Sequence, residues 1–162
     1  MDRCVAAILA GGKSSRMGED KSSLRLSGKT LLQHMGDILS SAGLDKIYIS
    51  RPDIIADEIP GHGPLSGVHS ILHHAVAHHT HIVFAPVDMP RLTPAVISGL
   101  INAPSEKALV CYGSHTLPFR LAVQTQWLEL TDRLLLSGGD VSLRHFHAQI
   151  ENKLALDVDK AD

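Results

Sequence analysis

The chain sets a buried strand directly against a glycine-rich basic loop. Cys4-Val5-Ala6-Ala7-Ile8-Leu9-Ala10 is continuously apolar, and Gly11-Gly12-Lys13-Ser14-Ser15-Arg16-Met17-Gly18 follows with no spacer. A strand that is apolar at every position must be covered on both faces. That requirement points to an open, mostly parallel sheet with helices on either side. In such sheets ligands bind at the carboxyl ends of strands. Glycines there let backbone N–H groups approach phosphate oxygens, which lysine and arginine neutralise. The competing reading is a strand-to-helix turn with solvated charges.

The rest of the chain alternates in the same way. Apolar runs at Lys46–Ser50, His81–Pro86, Lys107–Tyr112, Leu117–Val123 and Leu154–Val158 read as strands. Helical spacing of apolar residues predicts helices over Thr30–Ala42, Leu65–His79, Thr93–Ile101 and Gln126–Leu136, with a short helical turn at Ser142–His147. Pro64 and Pro94 suit helix first turns, and Gly43 a helix stop. The expected architecture is a three-layer α/β/α sandwich around a mostly parallel sheet. The late strand pair adds an antiparallel element. A length of 162 residues fits one domain, 1–162.

Composition narrows the function. Hydrophobic residues make up 44% and charged residues 20%, as in a globular protein. The formal net charge of −2 argues against extended nucleic-acid binding. No apolar run approaches the ~18 residues that span a membrane. Met1-Asp2-Arg3-Cys4 lacks a signal-peptide core, so a cytoplasmic location is expected. Cys4 and Cys111 fall in strand-like runs and read as buried thiols.

Two phosphate-binding loops do not fit. The G-x-x-x-x-G-K-[ST] pattern would need glycine where Ala7 stands, and G-x-G-x-x-G would need glycine at Lys13 and Arg16. A longer pattern does fit: L-A-G-G-x-S-x-R-M-G-x-D-K runs from Leu9 to Lys21. It resembles the signature of the MobA-like nucleotidyltransferases, in particular the molybdenum cofactor guanylyltransferases. Gly28-Lys29-Thr30-Leu31-Leu32-Gln33-His34 resembles the family's GKPLLQH, with Thr30 for proline. Gly63-Pro64-Leu65-Ser66-Gly67 resembles GPLAG, and Pro86-Val87-Asp88-Met89-Pro90 resembles the family's metal loop, xxDMP.

The resemblance implies a Rossmann-like fold of the nucleotide-diphospho-sugar transferase type. It implies Mg²⁺-dependent transfer of GMP from GTP to molybdopterin, with release of pyrophosphate. Leu9, Ala10, Gly11, Gly12, Lys21, Asp57 and Asp88 would bind the nucleotide. Arg16, Lys21 and Asp88 would be catalytic, the cations acting on the triphosphate. Asp88 would hold Mg²⁺, with Asp159 or Asp157 as a second ligand. Asp57 aligns after one gap, and Ser50 replaces a common asparagine. Lys13 is a further candidate, and Asp20 either orients Lys21 or is solvated. Molybdopterin-supplying proteins or molybdoenzyme chaperones would be partners.

Several features leave alternatives open. The C-terminus, Asp157-Val158-Asp159-Lys160-Ala161-Asp162, departs from the family's N-x-N-T-P-E-D and closing helix. Its D-x-D spacing resembles related cytidylyltransferases; the other reading is an acidic tail. Arg120, in Leu117-Pro118-Phe119-Arg120-Leu121, either meets the acceptor phosphate or is a surface strand charge. Eleven histidines include the i,i+4 pairs His69/His73 and His74/His78, read as a polar helix face rather than a metal site. The functional alternatives are a molybdopterin cytidylyltransferase, another MobA-like NTP transferase, a nucleotide-binding regulator with impaired catalysis, or a metalloenzyme built on the histidines.

Overall fold

The computed structural model describes residues 4–11 and 23–158. Eight strands and five helices follow in chain order: β1 (Cys4–Leu9), β2 (Arg25–Leu26), β3 (Lys29–Thr30), α1 (Leu31–Ser41), β4 (Ile47–Ser50), α2 (Pro64–Ala75), β5 (His81–Pro86), α3 (Pro94–Ile101), β6 (Leu109–Tyr112), β7 (Phe119–Ala122), α4 (Thr125–Leu136), α5 (Leu143–Ala148) and β8 (Lys153–Leu156). Six strands form one sheet in the order β4-β1-β5-β7-β6-β8. β1 pairs in parallel with β4 and β5, and β6 in parallel with β8. Only β7 runs against its neighbours, β5 and β6. This is the antiparallel element expected of the late strands.

Alternation along each strand builds two cores. Val5 and Ala7 pack with Val68, Leu72 and Phe84 on the side of α2, α4 and α5. Ala6 and Ile8 pack with Met35, Leu39, Val83 and Ile97 on the side of α1 and α3. Three layers follow directly. The expected elements form and differ at their ends. α2 stops at Ala75, and the chain turns through His78, where helix had been expected up to His79.

The helix starts are encoded locally. Thr30, standing where the family carries proline, accepts from Gln33 N at 3.1 Å. Gln33 Oε1 accepts from Thr30 N at 3.0 Å, completing a capping box. Thr93 and Ser142 cap α3 and α5 with the side-chain oxygen alone, accepting from Val96 N and His145 N. The small β2–β3 hairpin was not foreseen. Its turn, Ser27-Gly28, holds both residues at positive φ, 53° and 83°, as two-residue hairpin turns require.

His147 carries a pH effect. Its ring lies edge-on to Phe119, centroids 4.7 Å apart, and is only 7% exposed. Burial, with a contribution from the Lys153 charge, lowers its pKa from 6.5 to about 4. The folded state therefore keeps the ring neutral where the unfolded chain takes a proton. Stability is complete above pH 6.5 and is lost as pH falls towards 4, by about 3 kcal/mol over the window. His147→Leu is expected to flatten this acid limb in a melting-temperature profile against pH; superimposable limbs for variant and parent would contradict it.

Candidate active site

A cavity of about 340 Å³ opens at the carboxyl ends of β1, β4 and β5. Leu9, Ala10 and Gly11 enter it as the chain leaves β1, and Pro86, Val87 and Asp88 as it leaves β5. The ladder continues past the strand ends: Ala10 N donates to Ser50 O at 3.0 Å and Val87 N to Leu9 O at 3.3 Å. The backbone of both loops is thereby held at fixed positions on the cavity wall. Asp57, from the segment between β4 and α2, completes one side.

Asp57 is half-buried, and its carboxylate accepts from Ser50 Oγ at 3.3 Å. Burial raises its pKa; the Ser50 bond and the nearby His69 pull it partly back. Ser50, the departure from the family's asparagine, thus lines the cavity and orients Asp57. Sequence reasoning did not assign it that second task.

The G-P-L-S-G segment explains how α2 comes so close. Gly63 has φ 66° and ψ −150°, a conformation that suits glycine alone, and Pro64 then opens the helix. A Cβ on Gly67 would lie 2.7 Å from Ser50 Oγ and 3.0 Å from Leu9 Cδ2. Alanine in a helix ordinarily gains about 1 kcal/mol over glycine. Here Gly67→Ala is expected to destabilise, because Ser50 must swing away from Asp57. In a Ser50→Ala background the same change should be neutral or favourable, a coupling of about 1 kcal/mol in a denaturation double-mutant cycle. Additive effects would show that the close approach is not limiting.

Asp88 projects from the end of β5 between two prolines, with its side chain exposed at the cavity mouth. Among the described residues, the one group of three or more clustered metal-ligating side chains lies elsewhere and does not include Asp88. A single hard oxygen donor of this kind fits an ion that takes one or two protein carboxylates and completes its shell with phosphate oxygens and water, as Mg²⁺ does. Asp157 follows the end of β8, on the same edge of the sheet. Gly12, Lys13, Arg16, Asp20, Lys21 and Asp159 lie outside the described residues. Of the sequence-derived residues that are described, Leu9, Ala10, Gly11, Asp57 and Asp88 line one cavity, and Asp157 and Arg120 are not among its walls.

Arg120 corrects both of its expected roles. It is 2% exposed and turns away from the cavity. One guanidinium nitrogen donates to Leu100, Ile101 and Ala103 carbonyls at 3.0, 3.3 and 2.8 Å, and the other to Pro104 O at 2.6 Å. The Leu100 and Ile101 carbonyls close the C-terminal end of α3, and those of Ala103 and Pro104 follow just beyond it, a region that is electron-rich. β7 sits inside the sheet, so its alternate residue has no surface to reach, and the cation caps a helix. A second, more apolar hollow of about 460 Å³ adjoins the first and shares Leu117 with it. Met89, Leu92, Tyr112, His115 and Pro118 are among its walls.

The profile of the MobA-like NTP transferase domain matches residues 6–153. The chain belongs to that family. The molybdenum cofactor guanylyltransferase of Xanthomonas euvesicatoria is 39% identical over 148 residues, covering 89% of this chain and 76% of that one. Relatives from Opitutus terrae and Syntrophotalea carbinolica are 39% and 34% identical, over 61% and 70% of this chain, and the matches span only 54% and 60% of their lengths. Among solved structures, Rv0371c of Mycobacterium tuberculosis superposes with TM-score 0.72 at 22% identity, covering 96% of this chain and 89% of that one. Molybdopterin-guanine dinucleotide biosynthesis protein A of Archaeoglobus fulgidus gives 0.69 at 20% identity, covering 96% and 84%. At these identities both show a shared fold. Rv0371c has also been solved in complex with manganese. Among the described residues of this MobA-like chain, no helix is long and apolar enough to cross a membrane.

Proposed function

We propose that this MobA-like chain, residues 1–162 acting as one nucleotidyltransferase domain, transfers GMP from GTP to molybdopterin. A phosphate oxygen of molybdopterin attacks the α-phosphorus of GTP; the α–β phosphoanhydride breaks, and pyrophosphate leaves. The convergence of Leu9–Gly11, Asp57 and Asp88 on one cavity at the carboxyl ends of parallel strands carries this reading. The guanylyltransferase names of its relatives support it.

Leu9, Ala10, Gly11 and Gly12 would place backbone groups against base and phosphates, and Asp57 would accept from N–H donors of the nucleotide. Arg16 and Lys21 would neutralise the triphosphate, each charge-assisted bond worth about 1.5–3 kcal/mol. Asp88, with Asp159, would hold Mg²⁺, which supplies charge neutralisation and alignment of phosphate oxygens. The apolar hollow beyond Leu117 suits the acceptor's ring system. Positioning and charge neutralisation are the main demands of the reaction, since two anions must meet and a third depart. Delivery of product to a molybdoenzyme chaperone in the cytoplasm belongs to the same proposal.

The test pairs binding with turnover. GTP with Mg²⁺ should raise the melting temperature by a few degrees at saturation, and CTP, ATP and UTP should not. Pyrophosphate should appear only when molybdopterin is added. A shift with CTP alone would move the assignment to cytidylyl transfer, and no shift with any nucleotide would overturn it.

A further inference from the structure

The polar helix face expected at the histidines does not form at His69, which is 1% exposed. His69 and His73, one turn apart on α2, bring their Nε2 atoms to 3.1 Å from each other. Glu58, from the segment before α2, places Oε2 3.5 Å from His73 Nε2. Asp132, from α4, places Oδ1 3.9 Å from His73 Nε2 and in short contact with His69 Nε2. Glu58, His69 and His73 thus bring one ligand atom each within 4.8 Å of one another, and Asp132 flanks the two imidazoles. None of the four lines the cavity that holds Asp88.

Donating to both carboxylates at once strains this arrangement. Each ring nitrogen carries one hydrogen or one lone pair. If His69 donates from Nε2 to Asp132 and His73 donates from Nε2 to Glu58, the two nitrogens face each other N–H to N–H. A cation among them takes a lone pair from every member. Tetrahedral zinc with nitrogen and oxygen ligands at 2.0–2.2 Å sets its ligand atoms about 3.3 Å apart, close to the 3.1 and 3.5 Å that His73 Nε2 keeps to His69 Nε2 and Glu58 Oε2. Two carboxylates and two neutral imidazoles balance a dication, and imidazole selects zinc-class ions over magnesium. His69 is buried, while His73, Glu58 and Asp132 are part-exposed and leave a way in.

We propose that Glu58, His69 and His73, flanked by Asp132, form a site for a zinc-class divalent ion, distinct from the Asp88 centre. Bound there, the ion ties α2 to the segment that carries Asp57. That segment is already anchored, since Glu58 N donates to Ser70 Oγ at 2.9 Å. The proposal stands independently of the nucleotide assignment.

Cobalt(II) reports this directly on the full chain. One equivalent of Co²⁺ should raise the visible absorption of tetrahedral cobalt, bleached by Zn²⁺ and untouched by a large excess of Mg²⁺. His73→Ala and Glu58→Ala should each abolish the band, while both variants, altered at exposed side chains, should melt like the metal-free parent. Asp88→Asn should keep it. Absence of a tetrahedral band in the parent, or its survival in His73→Ala, would overturn the site and leave a hydrogen-bonded cluster without metal affinity.

Discussion

Asp88→Ala is expected to lower guanylyl transfer by about 10³-fold or more while the protein melts within about a degree of the parent. Aligning and neutralising phosphates through a carboxylate-bound ion is worth several kcal/mol, and each 1.36 kcal/mol is tenfold in rate. The stability side follows from place: Asp88 is exposed at a strand end, where substitutions usually change stability by less than about 0.5 kcal/mol. Asp88→Glu separates charge from position. It keeps a carboxylate but moves it outward by a methylene, and displacements near 1 Å cost about 10²-fold. Steady-state pyrophosphate release on all three proteins decides the matter. A variant that keeps more than a tenth of the parental rate would remove Asp88 from the chemistry.

Arg120→Met should produce the largest stability loss, about 3–5 kcal/mol. The substitution keeps most of the volume but withdraws four charge-assisted bonds from one buried and three part-buried carbonyls. For a chain of this length that is a fall of about 10 °C in melting temperature. Arg120→Lys should fall between, because one ammonium group cannot serve four carbonyls at once. Turnover at low temperature should survive in both. Loss of turnover in a folded Arg120→Met would instead restore a role towards the acceptor. A melting point within a degree of the parent would show that α3 does not need this cap.

The contrast between these two residues shows what the sequence makes legible. Asp88 was readable because a carboxylate between prolines at the end of Ile82-Val83-Phe84-Ala85 has one place to go in a parallel sheet. Arg120 was not, because a lone cation in an apolar strand looks alike on an edge and in the interior. Which it is depends on strand order, here β5-β7-β6. The main strands and helices carried strong periodicity and formed where expected, whereas β2 and β3, two residues each, are too short to show any. The His69/His73 pair was visible as spacing. Its partners Glu58 and Asp132 lie 11 and 59 residues away along the chain from the nearer histidine (69 − 58 and 132 − 73), joined only when α4 packs on α2. Ser50 read as a lost asparagine, and its bond to Asp57 needed the loop in place.

The reversed direction of β7 has a consequence for how such a protein can diversify. Its neighbours end at the edge of the sheet where the cavity opens, but β7 begins there. The segment leading into it, from Gly113 to Pro118, forms a partition with Leu117 facing both hollows. Insertions or deletions in that segment would remodel one compartment and leave Leu9–Gly11, Asp57 and Asp88 in register. One backbone can in this way keep a constant donor half while its acceptor half is exchanged, a modularity written into the polarity of a single strand.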